Sequence, residues 1–260
     1  MKTIAIANQK GGVGKTTTAV NLSAALAQRG HSVLLVDLDP QGNATSGSGV
    51  NRAEAPRTVY DLLSGGVGPD AELAKTAVSG LLALPSHISL AGAEVELVSL
   101  PGREHLLKQR LAAFAPRFEY AFIDCPPSLG MLTLNALSAA DSVLIPIQCE
   151  YYALEGLTQL MGTVRLVKKK LNPALEVEGV VLTMLDGRTN LGSQVVAEVK
   201  KVFGSKVYST IIPRNVRLGE APSFGRPIGQ YDAKSVGALA YERLCDEFEH
   251  WNGPAAQSAT

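Results

Sequence analysis

The segment Asn8-Gln9-Lys10-Gly11-Gly12-Val13-Gly14-Lys15-Thr16-Thr17 follows an apolar run, Thr3–Ala7, and opens a helix-like run over Thr17–Gln28. A glycine-rich loop in that context needs a strand that delivers it and a helix that starts where it ends. The order strand, loop, helix therefore fixes the first unit of the fold. Backbone N–H groups of Gly11, Gly12, Val13 and Gly14 can turn inward around phosphate oxygens, and the helix N-terminus adds its positive dipole end. Lys15 can reach the β- and γ-phosphates, the Thr16 hydroxyl can ligate Mg²⁺, and Thr17 continues the cradle. The pattern implies a nucleoside triphosphate site.

Short aliphatic runs recur between helical patterns, at Val33–Asp37, Leu81–Leu84, Tyr120–Asp124, Ser142–Ile147, Gly179–Leu185 and Val207–Ile212. Their alternation with helices predicts an α/β fold with a doubly wound, mainly parallel sheet flanked by helices. Helices are expected at Glu104–Phe114, Met131–Ala139, Leu154–Leu171, Leu191–Phe203 and Lys234–His250, the last with Val236, Leu239, Ala240, Leu244 and Phe248 as its core stripe. Residues 41–80 read as a loop-rich excursion holding one short helix, Val59–Leu63. Residues 1–250 are expected to form one domain and residues 251–260 a disordered tail.

Net charge is zero, so no global field steers the chain to nucleic acid or lipid. The distribution is uneven: residues 161–234 hold twelve Lys/Arg against six Asp/Glu, a local +6 that leaves −6 elsewhere. Cys125, Cys149 and Cys245 have no metal-ligand spacing and fit a reducing cytoplasmic compartment. No apolar run approaches the length of a membrane span.

Two further strand ends carry acids. Asp37 and Asp39, in Val33-Leu34-Leu35-Val36-Asp37-Leu38-Asp39-Pro40-Gln41-Gly42-Asn43, leave the same side of a buried strand, and parallel strands present ligands at their carboxyl ends. Tyr120-Ala121-Phe122-Ile123-Asp124 is an apolar strand ending in a carboxylate, the arrangement that holds an acid beside Mg²⁺. With Lys15 and Thr16 these acids make a phosphoryl-transfer site in which water attacks the γ-phosphate.

Position 9 is Gln where an ordinary phosphate loop has its first glycine, and Lys10 adds a second loop lysine. Lys10-Gly11-Gly12-Val13-Gly14-Lys15-Thr16 resembles the deviant Walker A motif. Together with the blocks at 37–43 and 122–128 and the run Ile211-Ile212-Pro213-Arg214-Asn215-Val216-Arg217-Leu218-Gly219-Glu220, it makes the chain resemble the ParA/Soj partition ATPases over nearly its whole length. The resemblance implies an ATPase using ATP and Mg²⁺ that forms an ATP-dependent homodimer, with Lys10 reaching the partner's phosphates. It implies that Asp39 orients water, that Asp37 supports the Mg²⁺ shell beside Thr16 and Asp124, and that Pro213 and Asn215 line the adenine pocket. It places Arg217, and Arg188 in Asp186-Gly187-Arg188-Thr189-Asn190, against nonspecific double-stranded DNA, and implies a ParB-like centromere-binding partner and a cytoplasmic, nucleoid-associated protein. Related readings are a membrane-cycling ATPase of the MinD kind, disfavoured by the acidic run Glu242–Glu249 in the last helix, an iron–sulfur reductase, and a sensor that binds nucleotide without hydrolysis.

Overall fold

The computed structural model describes residues 1–68, 70–150, 153–185 and 190–253. Eight strands form one sheet: β1 (Lys2–Ile6), β2 (Val33–Asp37), β3 (Ala74–Lys75), β4 (Leu81–Leu84), β5 (Tyr120–Asp124), β6 (Ser142–Gln148), β7 (Glu176–Thr183) and β8 (Val207–Ile212). Their order is β3-β4-β2-β5-β1-β6-β7-β8, and every pairing is parallel except the edge pair β3–β4. The helices are α1 (Lys15–Gln28), α2 (Asn43–Gly47), α3 (Val59–Ser64), α4 (Leu90–Leu97), α5 (Leu106–Leu111), α6 (Met131–Ala139), α7 (Ala153–Lys170), α8 (Asn190–Phe203), α9 (Val216–Glu220), α10 (Ile228–Tyr231) and α11 (Val236–Asn252).

Successive strand residues point to opposite faces, so each strand feeds two cores. Ile4, Ile6, Val33, Leu35 and Phe122 pack with α1 and α11 on one face. Ala5, Leu34, Val36, Ala121 and Ile123 pack with α3 to α8 on the other. Burial on both faces explains why β2 reads as an uninterrupted apolar run. β1 lies between β5 and β6, and Asp37 pairs in register with Asp124 across β2 and β5. The loop after β1 and both acids thus emerge together at the carboxyl edge of the sheet, where open α/β sheets hold ligands.

The doubly wound parallel sheet matches the sequence expectation, with β2, β4, β5, β8 and α6 at their expected bounds. Several details differ, among them α2 and a 3-10 turn at Arg52–Glu54 in the stretch 41–80, which the sequence reads as holding one short helix. β7 starts three residues early and stops at Thr183, because Met184 adopts φ 53°, which no strand can continue through. The helix expected over Glu104–Phe114 is shortened to Leu106–Leu111 and followed by a 3-10 stretch containing Pro116, which cannot donate a helical hydrogen bond. In α11, Val236 and Leu239 are exposed, and the buried stripe runs through Ala240, Tyr241, Leu244, Cys245 and Phe248. That helix also continues to Asn252, inside the expected tail, because Trp251 stacks on Tyr208 at 4.0 Å and the Asn252 amide donates to Glu178 Oε1 at 2.8 Å. The rest of the tail, residues 254–260, lies outside the described residues.

A cationic cluster fastens α11 beneath the sheet. His31 joins Glu119 at 2.6 Å through Nδ1 and Glu249 at 2.9 Å through Nε2, and Arg29 pairs with Glu242, Asp246 and Glu249. Partial burial lowers the His31 pKa, but the hydrogen bonds to Glu119 and Glu249 outweigh it and the net shift is upward. A raised folded value means the contribution is complete below the unfolded value, about 6.5, and is lost as pH rises through the folded one. His31→Gln should therefore lower the denaturation midpoint most at pH 6 and least at pH 9, with an effect of about 1 kcal/mol or less. Urea unfolding of both proteins at the two pH values checks this.

Candidate active site

Helix α1 begins at Lys15 with Gly14 as its N-cap at φ 92°, a left-handed conformation that favours glycine. No side chain caps this end and no acid stands in the first turn. Its first N–H groups are left for a ligand, and the helix dipole makes that ligand an anion. The Thr183 hydroxyl donates to the Val13 carbonyl at 2.9 Å, tying the crest of the loop to the end of β7. Lys15 is buried, its Nζ donates to the Lys10 carbonyl at 3.0 Å, and among the described residues it has no ion-pair partner. Burial lowers its pKa, opposed by the fields of Asp124 and Asp39.

Asp124 ends β5 wholly out of solvent. Its Oδ2 accepts from the Thr16 hydroxyl at 2.7 Å, and its Oδ1 is buried without a hydrogen-bond partner. Burial and the neighbouring Asp37 hold its pKa well above the usual carboxylate range. Asp37 is raised to about 6, chiefly by burial, although hydrogen bonds from Thr45 and Asp39 favour its charged form. Asp37 Oδ2 accepts from the Thr45 N–H at 2.7 Å and its hydroxyl at 2.6 Å, and Oδ1 accepts from the Asp39 N–H at 3.3 Å. Asp37 therefore anchors the turn into α2, a task the sequence does not reveal, and stands beside Asp124 rather than free at the cavity.

An unpartnered carboxylate oxygen next to a threonine hydroxyl and an uncapped helix terminus fits a divalent cation held together with phosphate. Among the described residues no cluster of three or more His, Cys, Asp or Glu side chains could hold a metal. A cation here would thus take most of its ligands from water and phosphate oxygens, the habit of Mg²⁺. Thr16 and Asp124 are the groups that would hold it. Bound there, it would neutralise charge on the phosphate oxygens.

A cavity of about 600 Å³ opens over the loop, bounded by Gly11, Lys15, Thr16, Asp39 and Asn43 and closed on its far side by Pro222 and Arg226. Asp39 sits at the rim of burial, its Oδ1 accepting from the Gln41 N–H at 2.9 Å. A smaller cavity of about 180 Å³ shares Gly14, Thr17, Met184 and Leu218 with the first and is walled by Pro213, Asn215 and Tyr241. Pro213 and Asn215 are thereby joined to the phosphate loop through Gly14 and Thr17. Asn215 Oδ1 is used as the N-cap of α9, accepting from the Leu218 N–H at 3.3 Å.

Lys10 does not line the cavity of its own loop. Its Nζ lies 3.0 Å from Glu150 Oε2, and Glu150 Oε1 lies 3.9 Å from Arg214 Nη2. Glu150, like Thr45, carries no motif that would single it out in the sequence. Arg217 is surface-exposed and pairs with Glu220 at 2.8 Å and Asp232 at 3.5 Å, while Arg188 lies outside the described residues. All three thiols are buried, and burial raises their pKa values, that of Cys149 to about 11 and that of Cys245 to about 12. Neutral thiols in such surroundings act as packing groups.

The family model of the AAA domain matches residues 1–177. The chain is 60% identical over 246 residues to the sporulation initiation inhibitor protein Soj of Bacillus subtilis, an alignment that covers 95% of this chain and 97% of that protein. It is 51% identical over 249 residues to the chromosome partitioning protein ParA of Caulobacter vibrioides, covering 95% and 93% of the two. Among solved structures, cobyrinic acid a,c-diamide synthase of Mycobacterium smegmatis with bound ATP analogue and magnesium superposes with a TM-score of 0.83 at 40% identity, over 97% of this chain and 96% of that one. A Cyanothece McdA–ATP complex gives 0.85 at 26% identity, over 97% and 96%.

Asp124→Asn tests the cation site. It removes a buried charge while keeping an acceptor for Thr16, so the nucleotide-free protein should lose no stability, whereas stabilisation by ATP with Mg²⁺ should largely disappear. Thermal unfolding with and without Mg-ATP measures both; a variant that Mg-ATP stabilises like the parent would remove Asp124 from the site.

Proposed function

This chain belongs to the Soj/ParA family of chromosome-partitioning ATPases, and we propose that it hydrolyses ATP with Mg²⁺ to control its own association with DNA. The observation that supports this reading is Lys10: a cation of the phosphate loop that does not line its own cavity and pairs instead with half-exposed Glu150 suits service to a second protomer. Its contact with Glu150 is half-exposed and costs little to exchange for a phosphate. Lys15 and the α1 terminus hold the phosphates, Thr16 and Asp124 hold Mg²⁺, Asp39 orients the attacking water, and Pro213 and Asn215 face the base. ATP is the substrate bound between two protomers, and each Lys10 supplies the charge that the other site lacks, as an arginine finger does.

Dimerisation doubles every basic contact, so affinity for the DNA backbone rises steeply with ATP and falls after hydrolysis. The DNA-facing groups in this reading are Arg217 and Arg188. Arg217 is exposed and pairs with Glu220 and Asp232 at the surface, contacts that phosphate can displace. Binding is indifferent to base sequence and places the protein on the nucleoid, with a ParB-like partner stimulating turnover. A membrane-cycling role has less support. The apolar face of α11 is buried against the sheet, leaving its last turns no free face for lipid, and among the described residues no helix is long and apolar enough to cross a membrane.

Asp39→Ala should form a long-lived dimer with ATP and lose turnover about 100-fold or more. Lys10→Ala should bind ATP as a monomer and fail to dimerise. Analytical ultracentrifugation with no nucleotide, ADP and ATP distinguishes these outcomes, and an ATP-independent monomer in both variants and the parent would end the dimer reading.

Arg217→Glu and Arg188→Glu should weaken binding to unrelated DNA duplexes alike without affecting dimerisation. Each lost phosphate contact should flatten the dependence of log affinity on log salt by about 0.9, counted twice in a symmetric dimer. Fluorescence anisotropy at several salt concentrations measures the slope; unchanged slopes in both variants would remove these arginines from the interface.

A further inference from the structure

Asp39 lies on a turn that is fastened from inside and from outside. Inside, Asp37 accepts the Thr45 N–H and hydroxyl, and the Gly42 N–H donates to the Asp39 carbonyl at 2.8 Å. Outside, the Arg52 guanidinium donates through Nη2 to the carbonyls of Gln41 and Gly42 and, at 3.1 Å, to Ser46 Oγ. Among the described residues Arg52 has no carboxylate partner. An arginine that spends its charge on backbone carbonyls has a positional task, because such charge-assisted bonds are stronger than neutral ones.

Position 42 suits this contact. Gly42 sits at φ 64°, and a Cβ there would fall 2.6 Å from Arg52 Cζ. The clamp and the glycine therefore belong together: the left-handed residue turns its carbonyl outward and leaves room for the guanidinium. Gln41, Asn43 and Ser46, all on the clamped turn, line the nucleotide cavity with Asp39. A helix as short as α2, built from Asn43, Ala44, Thr45, Ser46 and Gly47, has little propensity of its own to hold that turn.

We infer that Arg52 is a positioning residue for hydrolysis, which holds the Gln41–Gly42 carbonyls so that the Asp39 carboxylate is kept at the cavity in the orientation that water attack requires. The inference rests on the proposed role of Asp39. Arg52 does not itself line the cavity and reaches it only through the outer side of Gln41 and Ser46, so its loss should largely spare nucleotide binding and slow the chemical step.

The test uses the full-length protein with Mg-ATP and the variants Arg52→Ala and Arg52→Lys. Arg52→Ala should lower kcat about tenfold, in the range that loss of a supporting contact costs, with KM changed less than about twofold. Arg52→Lys, which can still donate to one carbonyl, should recover part of the loss. In an Asp39→Ala background, Arg52→Ala should change turnover less than about twofold, because the group it positions is gone. Amide exchange over residues 40–46 should accelerate in nucleotide-free Arg52→Ala. An equal loss in both backgrounds, an unchanged kcat, or unchanged exchange would overturn the inference. Parental turnover in Asp39→Ala alone would instead overturn the role of Asp39, and the exchange result would still decide whether Arg52 clamps the turn.

Discussion

Two carboxylates opposite one another at the ends of adjacent buried strands cannot both ionise without help. Asp37 and Asp124 are such a pair, in register across β2 and β5 and almost wholly out of water. Thr45 and the Asp39 N–H serve Asp37, while Thr16 and the Lys15 field serve Asp124. What remains is the orphaned Asp124 oxygen, raised in pKa and facing the one kind of ligand that would relieve it, a cation. Burial and the negative field of Asp124 push the Cys125 thiol upward, outweighing Lys15, which makes that residue inert despite its place beside the acid.

The sheet turns this local problem into a site. Because β1 lies between β5 and β6, the phosphate loop emerges alongside both acids, and α1 crosses back over the face that holds Phe122 and Phe248. α11 closes that face, and Tyr241 reaches the Thr18 hydroxyl at 3.2 Å while also walling the smaller cavity. The helix that completes the core is thus also part of the wall behind Pro213 and Asn215. The network of Arg29, His31 and Glu249 at the far end of α11 keeps it in place.

Motifs with a mechanical reason were readable in the chain: Lys15 and Thr16 because a loop before a helix can cradle phosphate, Asp124 because an apolar run delivered it to a strand end. β2, β4 and β5 were readable for a related reason, since strands buried on both faces show as short aliphatic runs. Other features depend on contacts distant in sequence. α2 has the composition of a loop and is helical because Asp37 and Arg52 hold it. β3 is two residues long and exists only through β4, and the start of the expected α11 stripe, Val236 and Leu239, is exposed because spacing alone gives several faces and packing selects one. Neither Glu150 beside Lys10 nor Arg52 behind Asp39 has a sequence signature, because each acts through a fold-dependent encounter.

In the proposed reading one protomer supplies the phosphate cradle, the cation seat and the carboxylate for water, while its second loop lysine pairs with Glu150 away from the cavity. The account therefore holds that the hydrolytic machinery is complete only when two protomers meet. The most direct measurement is the ATP turnover rate per protomer as a function of protein concentration, with Mg-ATP saturating and DNA absent. The account predicts a rate that climbs with concentration and levels off as dimers fill. A rate per protomer that stays constant from dilute to concentrated protein, with the protein monomeric throughout, would contradict it.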